Sequence, residues 1–542
     1  MPMSRIFAAV LAAGVTMLAA SAAEAGLLPA RVEDAAKARV AAGQYPALAI
    51  AMVDGDKSEI SAFGTLDDGR APDGDTVFEI GSITKTFTAT LLADAVQSGR
   101  VTLDEPMAEL LPDFTIPARG GKQITLEEIG ARHSGLPRMP ANFSPADPAN
   151  PFADYDAAKL KAFLASYQLT RDPGASYEYS NLAFGLLGDA LAASAHTDYG
   201  ALAHDEILAP LGMTMSGTRI TPAMRAHLAP GHDGVGKPAK NWDFDAFAGA
   251  GAIKSTANDM LRYLKANTGV DKTPLAAAMT LAHTPRADMT SDTRIGLAWM
   301  TTAKGIVWHN GTTGGYMSFI GFTTDGKRGV IVLANAQASV ADLGMAALDN
   351  TARLAPARKT VVMSDAELDI YSGTYKLADN FNLRIFRIAG QLYLQATGQG
   401  PFPLFRSTPN EFFVRIAPVA ISFIRDTKGV VTGLVLHQNG DRAAPRLPDE
   451  PIVALDAAAL GEYVGKYQLA PGRTFDIMLK DGQLLAQLTG QPAFPVYVGA
   501  KDKFFYKVVD ARIDFERGGD GKVAGLVLHQ SGKDMRAPRV IP

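Results

Sequence analysis

The apolar positions of the chain follow two different patterns on either side of about residue 355. Before that point a continuous apolar run, Leu48–Val53, predicts a buried strand, and longer stretches at helical spacing follow it. Strands are predicted again near the end of this region, at Gly305–Trp308, Met317–Ile320 and Val330–Ala334. Strands on both sides of a helical middle predict an α+β domain over residues 27–355.

The last third of the chain alternates apolar and polar residues in short segments. Leu383–Ile388 and Gln391–Gln395 are two of them, and Gly, Asn and Asp residues separate such segments. Alternation with a period of two, interrupted by turn residues, predicts antiparallel strands. A small up-and-down β-barrel fits this pattern because closure removes the exposed strand edges.

This β-rich region contains an internal duplication. Tyr371–Tyr375 matches Tyr463–Tyr467 at an offset of 92 positions, and Gly433–Gln438 matches Gly525–Gln530 at the same offset. A repeat of this kind indicates two similar domains in tandem. The two predicted barrels cover residues 365–447 and 456–542.

The N-terminal segment differs in composition from the rest of the chain. Arg5 precedes an apolar run, Ile6–Ala20, and the small residues Ala23 and Ala25 follow it. This order is typical of a secretory signal peptide, residues 1–25, cleaved after Ala25; an uncleaved anchor is the alternative. No other stretch reaches about 18 uninterrupted apolar residues. The mature protein is therefore expected to be periplasmic or secreted, without stable membrane insertion.

Charge and cysteine content narrow the possible chemistry. The 542-residue chain has 52 basic and 56 acidic side chains and a formal net charge of −4, which argues against a nucleic-acid partner. It contains no cysteine. Disulfides, thiolate metal sites and a cysteine nucleophile are therefore excluded.

Some familiar motifs are incomplete or missing. Gly231–Lys237 resembles a phosphate-binding loop, but Pro238 stands where a magnesium-binding hydroxyl residue is needed, so a plain loop is expected. The chain has neither an H-E-x-x-H nor a G-x-S-x-G sequence, which removes the zinc-peptidase helix and the nucleophile elbow. No metal and no organic cofactor is implied.

Ser82 and Lys85 form an S-x-x-K sequence at the start of a helical run, Phe87–Val96, which Ser98 and Gly99 can end. Residues three apart share one face of a helix, so the lysine nitrogen can reach the serine hydroxyl. The N-terminal end of a helix also favours a developing negative charge. The pair is therefore a candidate for nucleophilic catalysis.

Two further motifs follow in order along the chain. Tyr179 and Asn181 form a Y-x-N sequence, and His309, Gly311 and Thr312 lie on a predicted late strand. An S-x-x-K sequence alone arises by chance, but all three motifs in this order are informative. Together they resemble the serine β-lactamase and penicillin-binding-protein-like family, in particular its class C branch, whose third motif is of K-T-G type.

The resemblance covers residues 27–355 and includes the flanking segments Ile124–Pro137 and Gly251–Asp259. It implies a β-lactamase-like catalytic domain, in which helices flank an antiparallel sheet. The two duplicated barrels that follow would then be small lipocalin-like domains.

The resemblance also implies a role for each motif residue. Ser82 is the expected nucleophile that forms an acyl-enzyme, and Lys85 and Tyr179 are the candidate bases. The proton that this pair shares belongs to a coupled system, and the sequence does not assign it to either residue. Asn181 is expected to bond the substrate amide or the lysine. The Thr312 N–H, next to Gly311, would complete an oxyanion hole with the N–H of the nucleophile.

His309 departs from the penicillin-inactivating pattern, which has lysine at this position. Histidine is mostly neutral near pH 7 and can donate or accept a hydrogen bond instead of supplying a permanent charge to a carboxylate. With histidine at this position, the chain is similar to D-aminopeptidases and related esterases of the family. Those D-aminopeptidases also carry two C-terminal barrels. Length and layout also resemble the linear-peptide hydrolases of microcystin-degrading bacteria.

The expected function is a serine peptidase that acts on short or linearised peptides, including those with D-residues. A carboxylesterase or a weak β-lactamase is one alternative, and a sensor that is acylated without turnover is another. The expected partner is thus a small peptide or ester substrate, and the oligomeric state is left open. The resemblance further implies that a barrel turn reaches the catalytic cleft and sets substrate length.

Overall fold

A computed structural model of the protein describes residues 26–438, 440–470, 472–490, 493–509, 511–530 and 533–540. The predicted signal peptide, residues 1–25, lies outside these ranges. Within them, none of the helices combines the length and the apolar character needed to cross a bilayer.

The first domain is built from helices and a large sheet. Its helices are α1 (Ala30–Ala41), α2 (Thr84–Gln97), α3 (Met107–Leu110), α4 (Leu126–Gly130), α5 (Ala157–Ser166), α6 (Asn181–Ser194), α7 (Tyr199–Ala203), α8 (Pro222–Ala226), α9 (Ala248–Gly251), α10 (Ala257–Thr268), α11 (Ala276–His283) and α12 (Ala341–Leu348). Its strands are β1 (Ala47–Asp54), β2 (Lys57–Gly64), β3 (Val77–Glu79), β4 (Gly231–His232), β5 (Pro238–Ala239), β6 (Lys254–Thr256), β7 (Ala287–Thr290), β8 (Thr293–Ile295), β9 (Met300–Thr302), β10 (Ile306–Thr312), β11 (Met317–Thr323) and β12 (Arg328–Ala334).

The main sheet has eight antiparallel strands in the order β2-β1-β12-β11-β10-β9-β8-β7. Strand β1 is buried on both faces: Ala49 and Ala51 join the larger core cluster beneath α2 and α10, whereas Leu48 and Ile50 join the second cluster beneath α1 and α12. Burial on both faces explains why this strand is a continuous apolar run rather than an alternating one. The predicted layer architecture is confirmed.

The nucleophile segment differs in detail from the predicted single helix. Gly81–Ile83 forms a 3₁₀ turn, and α2 begins only at Thr84. The turn requires glycine at position 81, whose φ is +50° and where a Cβ atom would lie 2.7 Å from the Thr312 nitrogen. As predicted, the helix ends at Ser98 and Gly99, and the latter has a φ of +72°.

Two eight-stranded barrels follow the first domain, as the duplication predicts. Each is a meander in which neighbours along the chain pair in order. Each closes by a bond from a residue just after its last strand to its first strand: Leu447 N–H to Thr374 O at 2.8 Å, and Val540 N–H to Lys466 O at 2.7 Å. The first barrel comprises α13 (Asp365–Asp369), β13 (Gly373–Ala378), β14 (Phe381–Ile388), β15 (Gln391–Ala396), β16 (Phe402–Arg406), β17 (Glu411–Val414), β18 (Ala420–Arg425), β19 (Val431–His437) and β20 (Asp441–Pro445). The second comprises α14 (Ala457–Gly461), β21 (Gly465–Ala470), β22 (Arg473–Lys480), β23 (Gln483–Leu488), β24 (Phe494–Ala500), β25 (Lys503–Tyr506), β26 (Ala511–Arg517), β27 (Val523–Gln530) and β28 (Lys533–Pro538).

The segment that resembles a phosphate loop is a hairpin, formed by β4 and β5, rather than a plain loop. Its tip is ordered by the Asp233 carboxylate, which accepts bonds from two backbone N–H groups of the turn. Val235 at the tip packs into an apolar cluster with Phe405, Phe413 and Ala420 of the first barrel. The hairpin is therefore a contact between the first barrel and the first domain.

The chain leaves this hairpin and reaches Trp242, whose backbone is held by two buried charged residues. The Glu79 carboxylate accepts from the Trp242 N–H at 2.8 Å, and the Lys254 ammonium donates to the Trp242 carbonyl at 2.7 Å. Glu79 and Lys254 are paired across β3 and β6, and both are almost fully buried. The indole of Trp242 lies against Gly314, just beyond β10. The two charges thus fix a side chain beside the end of that strand.

We expect Lys254→Met to lower the free energy of unfolding of the first domain by about 2 kcal/mol, because it removes the charged hydrogen bond to the Trp242 carbonyl and the positive charge that offsets the buried Glu79 carboxylate. Adding Glu79→Gln should recover part of that loss. Denaturant unfolding followed by tryptophan fluorescence is a suitable measurement because all three tryptophans lie in this domain. Strictly additive effects in the double variant would contradict the coupling.

Candidate active site

The Ser82 hydroxyl lies between two side chains that can take its proton. Its Oγ is 3.1 Å from Lys85 Nζ and 2.7 Å from the Tyr179 hydroxyl oxygen. Ser82 is half-buried, whereas Lys85 is fully buried. The structure therefore brings together the three residues that the sequence predicts as nucleophile and bases.

Lys85 is enclosed by acceptors. Besides Ser82 Oγ, its Nζ bonds Asn181 Oδ1 at 2.9 Å and the Ala250 carbonyl at 2.7 Å. Burial lowers the pKa of Lys85 to about 8, and this effect exceeds the opposing influence of the neighbouring Tyr179. Asn181 thus orients the lysine, which is one of the two roles expected for it.

Tyr179 is positioned by the start of α6 and by the segment that follows α4. Ser180 is the N-cap of α6 and bonds the N–H of Ala183, so the chain turns sharply just after the tyrosine. The backbone on either side is fixed by the Glu178 N–H, which donates to the Arg132 carbonyl, and by the Asn181 N–H, which donates to that of Arg138. The phenol is therefore aimed at the nucleophile by the adjacent start of α6 and by one distant segment of the chain.

Burial would by itself raise the pKa of Tyr179. The positive charges of Lys85 and Arg132, together with the hydrogen bond to Ser82, outweigh burial and lower the pKa of Tyr179 to about 8. A phenol with this pKa can act as a general base near neutral pH. Lys85 and Tyr179 interact strongly, so the pair titrates as one system.

The end of β10 lies against the nucleophile turn. A Cβ atom on Gly311 would come within 1.9 Å of the Ile80 carbonyl oxygen, and Gly81 lies against the Thr312 backbone. Ser318 from β11 donates to that same Ile80 carbonyl at 2.8 Å. Only glycine allows this approach, which brings Gly81 against the Thr312 backbone. An oxyanion hole formed by the N–H groups of Ser82 and Thr312 stays a prediction.

The imidazole of His309 is completely buried, and both of its nitrogens have partners. Nδ1 lies 2.7 Å from the Asn310 carbonyl, to which it donates, and Nε2 faces the Arg132 guanidinium. Burial, followed by the charges of Arg132 and Lys85, holds the pKa of His309 well below its usual value of 6.5. The ring is therefore neutral. A role of His309 in substrate binding stays a prediction.

Arg132 is a residue of this site that the motifs do not identify. It follows α4 with a φ of +62°, and its guanidinium lies 4.7 Å from the centre of the Tyr179 ring. Little in the sequence indicates that Arg132 belongs to the site, because an arginine between two predicted motifs is expected to be exposed at the surface. The capping box formed by Thr125 and Glu128 begins the short helix α4, whose C-terminal end lies just before Arg132.

One side of the site has an aromatic wall, defined here as Phe143, Phe152, Tyr155, Trp242 and Phe247. Phe152 stands at its centre, with ring centres 5.2 Å from Trp242 and 5.3 Å from both Phe143 and Phe247. The sequence leaves open whether these loops are packed together or line an apolar cleft. The structure shows them packed against one another, with only part of each outer ring accessible.

The first barrel also contains a serine–histidine–aspartate chain. Ser422 Oγ is 2.9 Å from His437 Nε2, and His437 Nδ1 is 2.7 Å from the exposed Asp441 carboxylate. Ser422 lies on β18, which is paired on both sides, so its backbone N–H is committed to the sheet. The second barrel has Asp514 at the equivalent position. We therefore regard the chain as a surface hydrogen-bond network.

Comparisons with known proteins agree with this geometry. A family model described as "Beta-lactamase" matches residues 32–352, and a "Domain of unknown function (DUF3471)" matches residues 357–453 and 449–538. The chain is similar to the D-alanyl-D-alanine-carboxypeptidase/endopeptidase AmpH of Escherichia coli K12, with 27% identity over 53% of this chain and 78% of the relative. It is also similar to a beta-lactamase of Pseudomonas fluorescens, with 26% identity over 53% of this chain and 88% of the relative.

Solved structures share the fold of the first domain. A beta-lactamase/D-alanine carboxypeptidase from Yersinia pestis has a TM-score of 0.52 and 24% identity over 56% of this chain and 91% of that one. A class C beta-lactamase from Rhodobacter sphaeroides has a TM-score of 0.51 and 23% identity over 59% of this chain and 97% of that one. The family match spans more than half of the chain, and the protein therefore belongs to the beta-lactamase family of serine hydrolases.

Proposed function

We propose that the protein is a serine peptidase that cleaves short or linearised peptides, including those with D-residues, through an acyl-enzyme on Ser82. The observation that carries this proposal is the placement of Ser82 Oγ within hydrogen-bond distance of both Lys85 and Tyr179. We also propose that residues 1–25 direct its export.

The proposed acylation begins when Tyr179 takes the proton of the Ser82 hydroxyl. The oxygen attacks the scissile carbonyl carbon, and the N–H groups of Ser82 and Thr312 stabilise the resulting oxyanion. The C–N bond then breaks, and the proton held by the tyrosine passes to the leaving amine. In deacylation a water molecule gives its proton to the same base and attacks the ester, which releases the acid and restores the serine.

The neutral His309 supports a substrate preference different from that of a β-lactam hydrolase. A lysine at this position would offer a permanent charge to a substrate carboxylate, whereas both nitrogens of this buried imidazole already have partners. Substrates without a carboxylate next to the scissile bond fit such a site. Among the relatives, the endopeptidase part of the name carboxypeptidase/endopeptidase supports peptides of this kind, whereas a carboxypeptidase substrate carries the carboxylate.

The same observation favours a carboxylesterase as the second candidate, because esters of simple acids also lack that carboxylate. The two are distinguished by comparing kcat/KM for blocked peptides, for the same peptides with a free C-terminal carboxylate, and for simple acyl esters. A sensor would be acylated rapidly without turnover, which a burst of product followed by no steady state would reveal.

Replacing Ser82 with alanine should abolish hydrolysis by several orders of magnitude, because the nucleophile is lost. A fluorophosphonate probe should label the unmodified protein at this residue and leave the variant unlabelled, as mass spectrometry of the labelled peptide would show. Ser422→Ala is the matched control, since that serine likewise bonds a side chain that can accept a proton, His437, and it should keep full activity. If Ser422→Ala, and not Ser82→Ala, lost the labelling, the nucleophile would be Ser422 of the first barrel.

The value of kcat/KM should rise with pH through about 8, because Tyr179 must lose its proton to act as a base and its pKa lies at about 8. Tyr179→Phe should slow acylation by about 10²- to 10⁴-fold without unfolding the protein. Stopped-flow measurement of probe labelling across the pH range tests both statements. A flat profile would argue against the tyrosine as base.

Val235→Asp should separate the hairpin from the first barrel, because it places a charge among Phe405, Phe413 and Ala420. The hairpin leads directly to the aromatic wall, so we expect the ratio of kcat/KM for long to short peptides to change about tenfold, or roughly 1.4 kcal/mol, while probe labelling of Ser82 persists. Val362→Asp is the control, because Val362 is 92% exposed. If the ratio is unchanged in folded Val235→Asp, the contact between the hairpin and the first barrel has no effect on the preference for peptide length.

A further inference from the structure

Arg132 is a buried arginine without a carboxylate partner. It is 2% exposed, and its guanidinium donates to the Ala298 carbonyl at 3.1 Å, to the Tyr177 hydroxyl at 3.2 Å and to His309 Nε2. Its Nε has no partner at all. Across the described residues, no carboxylate comes within ion-pair distance of it.

A guanidinium does not lose its proton in a protein, so Arg132 keeps its charge in this position. An uncompensated buried charge costs several kcal/mol, and a compensating negative charge is therefore expected nearby. Two phenols lie in reach of the guanidinium: Tyr177, whose hydroxyl accepts from it at 3.2 Å, and Tyr179, whose ring centre lies 4.7 Å from the guanidinium carbon. Tyr179 is the one that also bonds Ser82, and the charge of Arg132 helps to lower its pKa. The guanidinium lies over the face of this ring, where its positive charge favours the ionised form of the phenol.

The contacts of Lys85 indicate which member of the base pair holds the proton. Its Nζ has three acceptors, namely Ser82 Oγ, Asn181 Oδ1 and the Ala250 carbonyl. An ammonium has three N–H donors for these three acceptors, whereas a neutral amine has only two. The charged form of Lys85 is thus the one that gives each of these acceptors a donor. Of the two residues of the base pair, Tyr179 is therefore the one that gives up its proton.

We propose that Arg132 is a positioning residue whose fixed charge holds Tyr179 as a phenolate, a task for which the third motif offers no cation because histidine stands at position 309. The inference rests on the proposed function in taking Tyr179 as the base for Ser82. It places a fixed positive charge beside the base from a residue more than 170 positions away from the third motif.

Other groups also face the Tyr179 ring. They are Ser82 and Lys85 from the nucleophile turn and α2, and Arg132 and Arg138 from the segment after α4. The guanidinium carbon of Arg138 lies 4.8 Å from the ring centre, nearly the distance of Arg132, but this side chain is exposed. Solvent screens an exposed charge far more than a buried one. Arg138 is therefore a matched control for charge and distance.

The first measurement is a spectroscopic titration of Tyr179 that needs no turnover. The chain has 15 tyrosines, so the tyrosinate absorbance of the full-length protein is compared with that of Tyr179→Phe, and the difference belongs to this residue. We expect the difference to titrate near pH 8 in the unmodified protein. A midpoint near 10, the value of an ordinary tyrosine, in the folded protein would overturn the proposal.

The second measurement repeats the titration and the pH profile of kcat/KM in Arg variants. Arg132→Met should move both midpoints upward by about one pH unit or more, Arg132→Lys should restore part of the shift, and Arg138→Met should move them much less. A purely structural role of Arg132 would lower kcat at every pH and leave the midpoints in place, which would refute the proposal. Equal shifts from Arg132→Met and Arg138→Met would refute it as well.

The experiments distinguish three outcomes: a variant that does not fold, a wrong proposed function, and a wrong assignment of Arg132. If Arg132→Met does not fold, the titrations of Arg132→Lys and of the unmodified protein still test the proposal. A titration midpoint of Tyr179 near pH 10 in either protein overturns it. If Ser82→Ala retains activity, the proposed function fails, yet the absorbance titration still measures the ionisation of Tyr179. A normal titration with an active Ser82→Ala variant would thus preserve the charge pairing and remove only its catalytic interpretation.

Discussion

Two positive charges, Lys85 and Arg132, are buried beside the phenol of Tyr179, and the region around them is arranged to make this possible. Among the residues that the structure describes, neither cation has a carboxylate partner, and carbonyl oxygens, an amide, two hydroxyls and an imidazole nitrogen bond them instead. Groups of this kind solvate a cation without neutralising it. The result is a pocket of positive potential around Tyr179, which lowers the pKa of that residue despite its burial.

The pocket is assembled from segments that are far apart in sequence. Pairing of β3 with β6 places the nucleophile turn next to the chain that carries Ala250 and Lys254. The missing side chain of Gly311 lets β10 approach that turn, and Ser318 on the neighbouring strand bonds the same Ile80 carbonyl. Small residues and backbone acceptors thus do as much as the motif side chains to define the geometry. A substitution at Gly311 would separate β10 from the turn before any catalytic side chain was lost.

Much of this could be predicted from the sequence, and the reasons for the misses are physical. The continuous apolar run of β1 and the alternating barrel strands predicted the fold class because burial on one or two faces leaves a direct pattern in the sequence. Ser82, Lys85, Tyr179 and Asn181 were predicted from motif order and do lie together. The start of α2 was misplaced, since a 3₁₀ turn and a helix have similar sequence patterns.

Arg132 was missed for a different reason. Nothing local distinguishes a buried arginine from an exposed one, because its burial depends on α4 ending just before it and on the distant residues Tyr179 and His309. The enclosure of His309 was missed in the same way: sequence predicted a neutral ring, but its partner Arg132 comes from another part of the fold. Charge compensation between segments is a tertiary property that motif spacing does not encode.

The duplicated barrels show how small differences between copies decide their contacts. The first has an aromatic pair, Phe405 and Phe413, with ring centres 5.8 Å apart, and the second has Tyr497 and Phe505 at the equivalent positions, 5.9 Å apart. A cation covers one ring of each pair, Arg415 in the first copy and Lys507 in the second. Both barrels therefore have an aromatic pair with a cation over one ring, which in the first barrel is the surface that contacts the hairpin.

The largest difference between the two surfaces, in side-chain size and charge, is at the position of Ala420. Ala420 in the first barrel is small and buried, which leaves room for Val235 of the hairpin beside the aromatic pair. The second copy has Arg512 at that place, and its guanidinium bonds Glu450 at 2.7 Å. A charged side chain there would have to be desolvated before an apolar residue such as Val235 could pack on the same surface. The sequence repeat predicts both barrels, but the alanine determines which of them can hold the hairpin that leads to the active site.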